Sequence, residues 1–489
     1  MEGAAAGRGG PLAMDPETMR RLGHEVVDRV VDRWAGLAQR PALVAAGREE
    51  MEARLREPLP KAGEPIGPLL ERFWTDVEPF AARLDHPRFF AFVPGSPTFA
   101  SILGDWLASG CNFFAGTWLE GAGPSELELV VLDWLRECVG LPDGAEGLLT
   151  SGGSAANLVG LAVARDERLG GAPEGVAYLS DQTHSSVDRA LRILGFPPSS
   201  VRRLPSDGDF RLRAEAVRRA VERDRAAGRR PFCVVATAGT TNTGAVDALP
   251  ELSALCREEG LWLHVDGAYG ALARVTVRGR ESLEGLERAD SLVLDPHKWL
   301  YVGYECGCLL VREPGALERA FRVLPDYLQD LEAAEGRVNF ADRGLQLTRR
   351  ARAVALWLSM KHHGLAGLIA AIDRTQHLAE LAARRIETEP ELELTSPPRL
   401  GVLTFRYAGE GRGPAAGASP AVDLEALNRA VVETLQEEGR FVISSTRLRG
   451  RYVLRLCPLN WRTSPDDLDA LVDEVLVLGR RTGGKEVGT

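Results

Sequence analysis

Four short stretches carry side chains that chemistry can use, and they follow one another in a fixed order. They are Thr150-Ser151-Gly152-Gly153-Ser154, then Asp181-Gln182-Thr183-His184-Ser185-Ser186, then His264-Val265-Asp266-Gly267-Ala268-Tyr269, then Asp295-Pro296-His297-Lys298-Trp299. Gly152, Gly153 and Ser154 open a helix after an apolar run. Small residues there let the backbone approach an anion, and the free N–H groups at the helix start point at it. His184 follows another apolar run, where a flat imidazole can lie on a ring. Asp266 ends an apolar run, and a carboxylate there must be paired or hydrated. Lys298 becomes a nucleophile if a desolvated ring and neighbouring charges lower its proton affinity.

Each stretch also has a plain structural reading: a glycine turn with a helix cap, a structural histidine, a turn-capping aspartate, a surface lysine. A serine hydrolase is a rival from another class. Gly152-Gly153-Ser154-Ala155-Ala156 misses the G-x-S-x-G elbow only at its last residue. That reading leaves His184, Asp266 and Lys298 without work. Together the four stretches supply what pyridoxal 5'-phosphate needs. An amine holds the aldehyde, a carboxylate holds the ring nitrogen in its charged, electron-accepting form, an imidazole covers the ring, and a helix start holds the phosphate.

The elements that must position these residues are read from periodicity. Short apolar runs at Gly147–Thr150, Val176–Leu179, Phe232–Thr237, Leu261–Val265, Ser291–Leu294 and Cys308–Val311 alternate with helices at Ala155–Arg168, Leu212–Ala227 and Leu249–Glu259. Strands apolar on both faces, alternating with helices, predict a mainly parallel sheet covered on both sides. Ligands of such sheets sit at the carboxyl ends of the strands, which is where all four stretches fall. Before the sheet, Asp15-Pro16 predicts a helix start, and a second helix is expected from Ile66 to Leu84. After it come a strand Val402–Arg406, a Gly/Ala/Pro-rich loop Ala408–Pro420, a helix Leu424–Glu438, strands Phe441–Ser444 and Tyr452–Leu456, and a last helix capped by Thr463-Ser464-Pro465. The chain is thus expected to divide into a disordered tail (1–13), an N-terminal helical dimerisation segment (14–90), a large α/β domain (91–374) and a small α+β domain (375–489).

Composition fits this. The chain has 489 residues, 45% hydrophobic and 26% charged, as a globular protein with a large core requires. A net charge of −10 with no basic tract argues against a nucleic-acid partner. No apolar run is long enough to span a membrane. Seven cysteines without a C-x-x-C pair point to reduced thiols and a cytoplasmic location. Cys306 and Cys308 alternate along one strand and lack a second ligand pair for a metal.

On these motifs the chain resembles the group II pyridoxal-phosphate-dependent decarboxylases, in particular the aromatic-L-amino-acid decarboxylase branch. The resemblance runs from about Met14 to Arg480. It also includes His86-Pro87-Arg88-Phe89-Phe90-Ala91-Phe92, the rest of Thr150–Asn157, and Ala236-Thr237-Ala238-Gly239-Thr240-Thr241. It implies fold type I, a homodimer that builds each site from two subunits, and release of CO2 from an L-amino acid to give an amine. By position, it implies that Lys298 carries the cofactor and Asp266 pairs with its ring nitrogen. His184 and the Ala268 methyl flank the ring. Gly153, Ser154 and His297 lie at the phosphate, and Thr237 lies at the ring hydroxyl. Tyr327 matches the tyrosine of a mobile loop that protonates the product carbon. Relatives with Phe there resemble aldehyde-forming oxidative decarboxylases. Phe92, Pro94, Phe114 and Thr348 are expected to hold the substrate side chain, favouring tyrosine, tryptophan or Dopa. Leu84, Val93, Gly95 and Gly116 depart from the animal aromatic enzymes, and Thr348 stands where the family varies Gly and Ser. A decarboxylase for glutamate or 2,4-diaminobutyrate is the alternative within the cofactor class; it needs a charged partner for the distal group.

Overall fold

The computed structural model describes residues 12–323, 336–409 and 423–485. Seven strands form the main sheet: β1 (Glu146–Thr150), β2 (Val176–Ser180), β3 (Val201–Leu204), β4 (Pro231–Thr237), β5 (Trp262–Asp266), β6 (Ser291–Leu294) and β7 (Gly307–Val311). Their order is β1-β7-β6-β5-β4-β2-β3. The run from β3 to β6 is parallel, while β7 is antiparallel to both its neighbours, β6 and β1. Two reversals cancel, so β1 runs with the parallel set. The carboxyl ends of β1, β2, β4, β5 and β6 therefore share one edge of the sheet, and that edge collects the four chemical stretches.

Every residue of β2, β5, β6 and β7 is buried, which explains why these strands read as continuous apolar runs. The helix Gly153–Leu169 packs across β4, β5, β6 and β7. The core between the layers is built from Val234, Val235, Leu263, Val265, Leu292 and Val293 among others. This is the mainly parallel, helix-covered sheet expected from the alternation, and the fold type I architecture that the resemblance implies.

A second sheet holds β8 (Leu392–Arg399), β9 (Val402–Tyr407), β10 (Ser444–Leu448) and β11 (Arg451–Leu456), antiparallel in the order β10-β11-β9-β8. Helices Leu424–Glu438 and Pro465–Lys485 pack on it around Leu403, Phe405, Val431, Leu454 and Leu471. The helix Ala353–Glu387 touches both sheets' layers, so the expected division at 374/375 falls inside one helix and no linker separates the parts.

Local signals explain most boundaries. Asp15 caps the helix Pro16–Ala35 by accepting from the amides of Glu17 and Thr18 at 3.0 and 2.9 Å. Ser464 accepts from the Asp467 amide at 3.3 Å and donates to its carboxylate at 2.7 Å, fixing the start of the last helix. Helices Leu249–Glu259 and Leu424–Glu438 have the expected bounds. The helix from Ile66 does not reach Leu84: it stops at Asp76, and a short 3-10 turn, Glu78–Phe80, follows. Pro79 has no amide N–H to donate and disfavours helix at the residue before it. The expected strand at Phe441 begins only at Ser444. Val442 instead exchanges backbone bonds with the N-terminal segment, giving its amide to Arg88 O (3.1 Å) and receiving that of Phe90 (2.7 Å). The unexpected β8 carries Pro397 and Pro398, which an edge strand tolerates, and β3 is too short and half-exposed to give a clear period. Residues 1–11 of the expected tail, the expected loop Ala408–Pro420 from residue 410 on, and Tyr327 lie outside the described residues. Among the described residues no helix is long and apolar enough to cross a membrane.

Candidate active site

A cavity of about 510 Å³ opens at the carboxyl edge of the main sheet. Gly153, Ser154, His184, Thr237, Asp266, Ala268, His297 and Lys298 all line it, together with Phe92. Residues far apart in sequence meet there because the turns after β1, β2, β4, β5 and β6 face the same way.

Lys298 lies in a short helical turn, Pro296–Trp299, directly after β6. Its Nζ sits 2.9 Å from Asp295 Oδ2. Asp295 is buried, and its Oδ1 has no partner among the described residues. His297 Nδ1 accepts from the Cys306 amide at 3.3 Å, and Nε2 lies 3.7 Å from Asp295 Oδ2. Burial lowers the His297 pKa, against the pull of Asp295.

Asp266 is the last residue of β5 and is buried. Its Oδ1 accepts from the Ala268 amide at 3.2 Å and its Oδ2 from Asn157 Nδ2 at 3.0 Å. His184 caps the helix Ser185–Ile193, with Nδ1 accepting from the Ser186 amide at 3.3 Å and lying 2.8 Å from Ser186 Oγ. The ring's other edge is left for the cavity. Thr237 ends β4; Asp247 accepts its amide at 2.7 Å with one oxygen and the Leu212 amide at 2.6 Å with the other. Burial pushes the Asp247 carboxyl up to about 7. Thr237 Oγ1 is buried and has no partner among the described residues.

These features test the expected cofactor. The turn at Gly153 leaves no room for a side chain: a Cβ there would lie 2.8 Å from the Ala268 methyl and 3.0 Å from Asp295 Oδ2. His297 borders the same turn, 3.4 Å from where a Gly152 side chain would begin. An amine, a carboxylate backed by two donors, an imidazole, an orphan hydroxyl and a glycine-lined helix start surround one space. The set fits pyridoxal 5'-phosphate. Among the described residues no cluster of His, Cys, Asp and Glu could hold a metal.

The substrate residues behave differently. Phe92 is exposed on the cavity wall with φ of 55°, a strained conformation for a large side chain. Pro94 is buried behind it, and Pro94, Phe114 and Thr348 do not line this cavity. Phe114 bridges to Arg350 instead, and Thr348 is exposed. Of the four residues expected to hold the substrate side chain, this chain thus brings only Phe92 to the cavity.

Several cavity residues escaped the sequence reading. Asp295 stood in the lysine motif without a role, and Asn157 closed the helix-start motif without one. Arg455, on β11, is buried. It donates to Thr241 O at 2.6 Å and Phe92 O at 2.5 Å, while its Nη2 has no partner among the described residues. An arginine inside the apolar run Tyr452-Val453-Leu454-Arg455-Leu456 was the available signal.

Residues 49–408 match the pyridoxal-dependent decarboxylase conserved domain. The chain is 40% identical over 469 residues to an aromatic-L-amino-acid decarboxylase of Bacillus atrophaeus, covering 96% of each chain. It is 33% identical over 465 residues to a tryptophan decarboxylase of Camptotheca acuminata, covering 92% of each. It superposes on the crystal structure of Oryza sativa TDC with PLP and tryptamine at a TM-score of 0.89 and 28% identity, covering 96% of this chain and 99% of that one.

Proposed function

Because the chain belongs to the pyridoxal-dependent decarboxylase family, we propose that it releases CO2 from an aromatic L-amino acid, such as tyrosine, tryptophan or Dopa, and returns the amine. The enzyme is a carboxy-lyase with pyridoxal 5'-phosphate as its cofactor. Aromatic specificity is supported by relatives named for tryptophan and for aromatic amino acids. The observation that carries the site assignment is the meeting of Lys298, Asp266, His184 and the Gly153–Ser154 turn on one cavity.

When bound, the cofactor supplies an aldehyde for the substrate amine and a ring that accepts electrons from the breaking bond. Lys298 would hold that aldehyde, and Asp295 keeps its amine in place. Asp266 would pair with the ring nitrogen in its charged form. His184 and Ala268 would flank the ring and fix its plane, orienting the substrate bond to be broken. Thr237 would offer its unpaired hydroxyl to the ring oxygen. Gly153, Ser154 and His297 would hold the phosphate. Arg455 ties Phe92 to Thr241 and closes one wall. Tyr327 is the proton donor to the product carbon.

Two copies form the working enzyme. The N-terminal helices expose Met19, Val31, Ile66, Leu69 and Phe73, and the helix Phe99–Gly110 exposes Leu103 and Leu107. A monomer has no reason to leave so many large apolar side chains in water. Phe113, Leu345 and Leu347 are exposed as well, and in a dimer they, with Phe114 and Thr348, wall the neighbouring cavity. Free cysteines throughout the described residues suit a cytoplasmic location.

The experiment is direct. Purified protein should be yellow, and borohydride should bleach it while attaching the cofactor to Lys298. Amine and CO2 release is then measured across the amino acids, with Tyr327→Phe in parallel. Aromatic substrates turn over, and the variant shifts product from amine to aldehyde and ammonia. Turnover of glutamate alone, or parental amine yield from Tyr327→Phe, overturns the corresponding assignment.

A further inference from the structure

The Asp266 carboxylate and the His184 ring are held by the same side chain. Asn157 lies on the helix Gly153–Leu169, one turn after the phosphate turn. Its Nδ2 donates to Asp266 Oδ2 at 3.0 Å and to Ser186 Oγ at 2.9 Å, and its Oδ1 lies 2.8 Å from His264 Nε2. All of these groups except the cavity-facing His184 are buried.

The hydrogens in this network can be placed by counting. A carboxylate only accepts, so the amide must turn its NH2 toward Asp266; the flipped amide would set oxygen against oxygen. Asn157 Oδ1 then faces His264 Nε2, which must carry the proton. His264 Nδ1 is therefore an acceptor, filled by Ser291 Oγ–H at 2.7 Å. Ser291 Oγ in turn accepts from Trp262 Nε1 at 2.8 Å. On the other branch Ser186 Oγ accepts from Asn157, so its own hydrogen goes to His184 Nδ1, which already accepts the Ser186 amide. Every donor has one acceptor, and the chain has one direction. It runs from Trp262 through Ser291 and His264 to Asn157, where it forks to Asp266 and to His184.

The surroundings are built for it. His264 and Ser291 are paired in register across β5 and β6. Gly160, one turn beyond Asn157, clears the space for the imidazole: a Cβ there would lie 2.7 Å from His264 Cε1. Burial pushes the His264 pKa down to about 4, which keeps the ring neutral, as the counting requires.

We propose that Asn157 is the positioning residue for both halves of the cofactor site: its one amide fixes the Asp266 carboxylate against the ring nitrogen and, through Ser186, sets His184 as the tautomer with its proton on Nε2. His264 and Ser291 keep that amide from flipping. The inference rests on the cofactor reading above.

Two measurements on the full-length protein test it. In the holoenzyme labelled with ¹⁵N-histidine, His264 and His184 should both carry the proton on Nε2; resonances are assigned with His→Gln variants. Either ring found with its proton on Nδ1 overturns the inference, and this arm needs no Asn157 variant to fold. Second, pyridoxal 5'-phosphate is titrated into the parent and into Asn157→Leu, which keeps the volume and removes the donors. Loss of a hydrogen bond to a buried charge should weaken binding roughly 10- to 100-fold. Equal affinity overturns the inference while the cofactor reading stands. A parent that binds no pyridoxal 5'-phosphate defeats the cofactor reading itself, and the inference with it.

Discussion

Replacing Lys298 by Met should do more than abolish turnover; it should destabilise the fold. Asp295 is 3% exposed, its Oδ2 is 2.9 Å from the Lys298 amine, and its Oδ1 has no partner among the described residues. Removing one member of a buried ion pair strands the other charge, at a cost of about 3–5 kcal/mol when both are fully enclosed. The Lys298 side chain is 19% exposed and opens on the cavity, so water reaches the pair in part. The expected loss for Lys298→Met is therefore about 2–3 kcal/mol. Adding Asp295→Asn removes the stranded charge and should recover most of that loss, while turnover stays absent. Urea unfolding of the cofactor-free full-length proteins gives both numbers without interference from cofactor release. The double variant should be more stable than Lys298→Met by at least about 1 kcal/mol. If Lys298→Met is as stable as its parent, or if the second change gives nothing back, the amine is not what holds Asp295.

Thr237→Val removes a buried hydroxyl that has no partner in the cofactor-free protein. It should leave apo stability unchanged or raise it by about 1 kcal/mol, while weakening cofactor binding about fivefold. Lower apo stability with unchanged cofactor affinity would show that the hydroxyl has an internal partner. Asp247, pushed up to about 7 from an ordinary 3.8 by burial, binds its proton more tightly in the folded state. Its contribution to stability is complete below about pH 4 and is lost as pH rises through about 7. Asp247→Asn should therefore give a flatter stability profile than its parent between about pH 5 and 8, measured by urea unfolding at each pH. A variant profile as steep as the parent's removes Asp247 as the cause.

What could be read from the sequence depended on whether the deciding interaction was local. Asp266, Lys298 and the Gly153–Ser154 turn each adjoin an apolar run that is buried on both faces, so the run and the residue could be recognised together. The parallel sheet then made their meeting a consequence of topology. These cavity-lining residues were legible for this reason, even though no single one was decisive.

What failed depended on contacts across the chain. Phe441 and Val442 have the pattern of a strand, but the backbone groups of Arg88 and Phe90 reached Val442 first. Asn157 looked like one more polar residue on a helix. Its acceptor, Asp266, lies 109 positions away, and periodicity carries no information about such a pair. Pro94, Phe114 and Thr348 do not meet the cavity within one chain, and Phe113, Leu345 and Leu347 are exposed; chain spacing predicts neither. Local chemistry thus identifies groups that meet on one cavity. The groups that hold them in place appear only once the chain has folded.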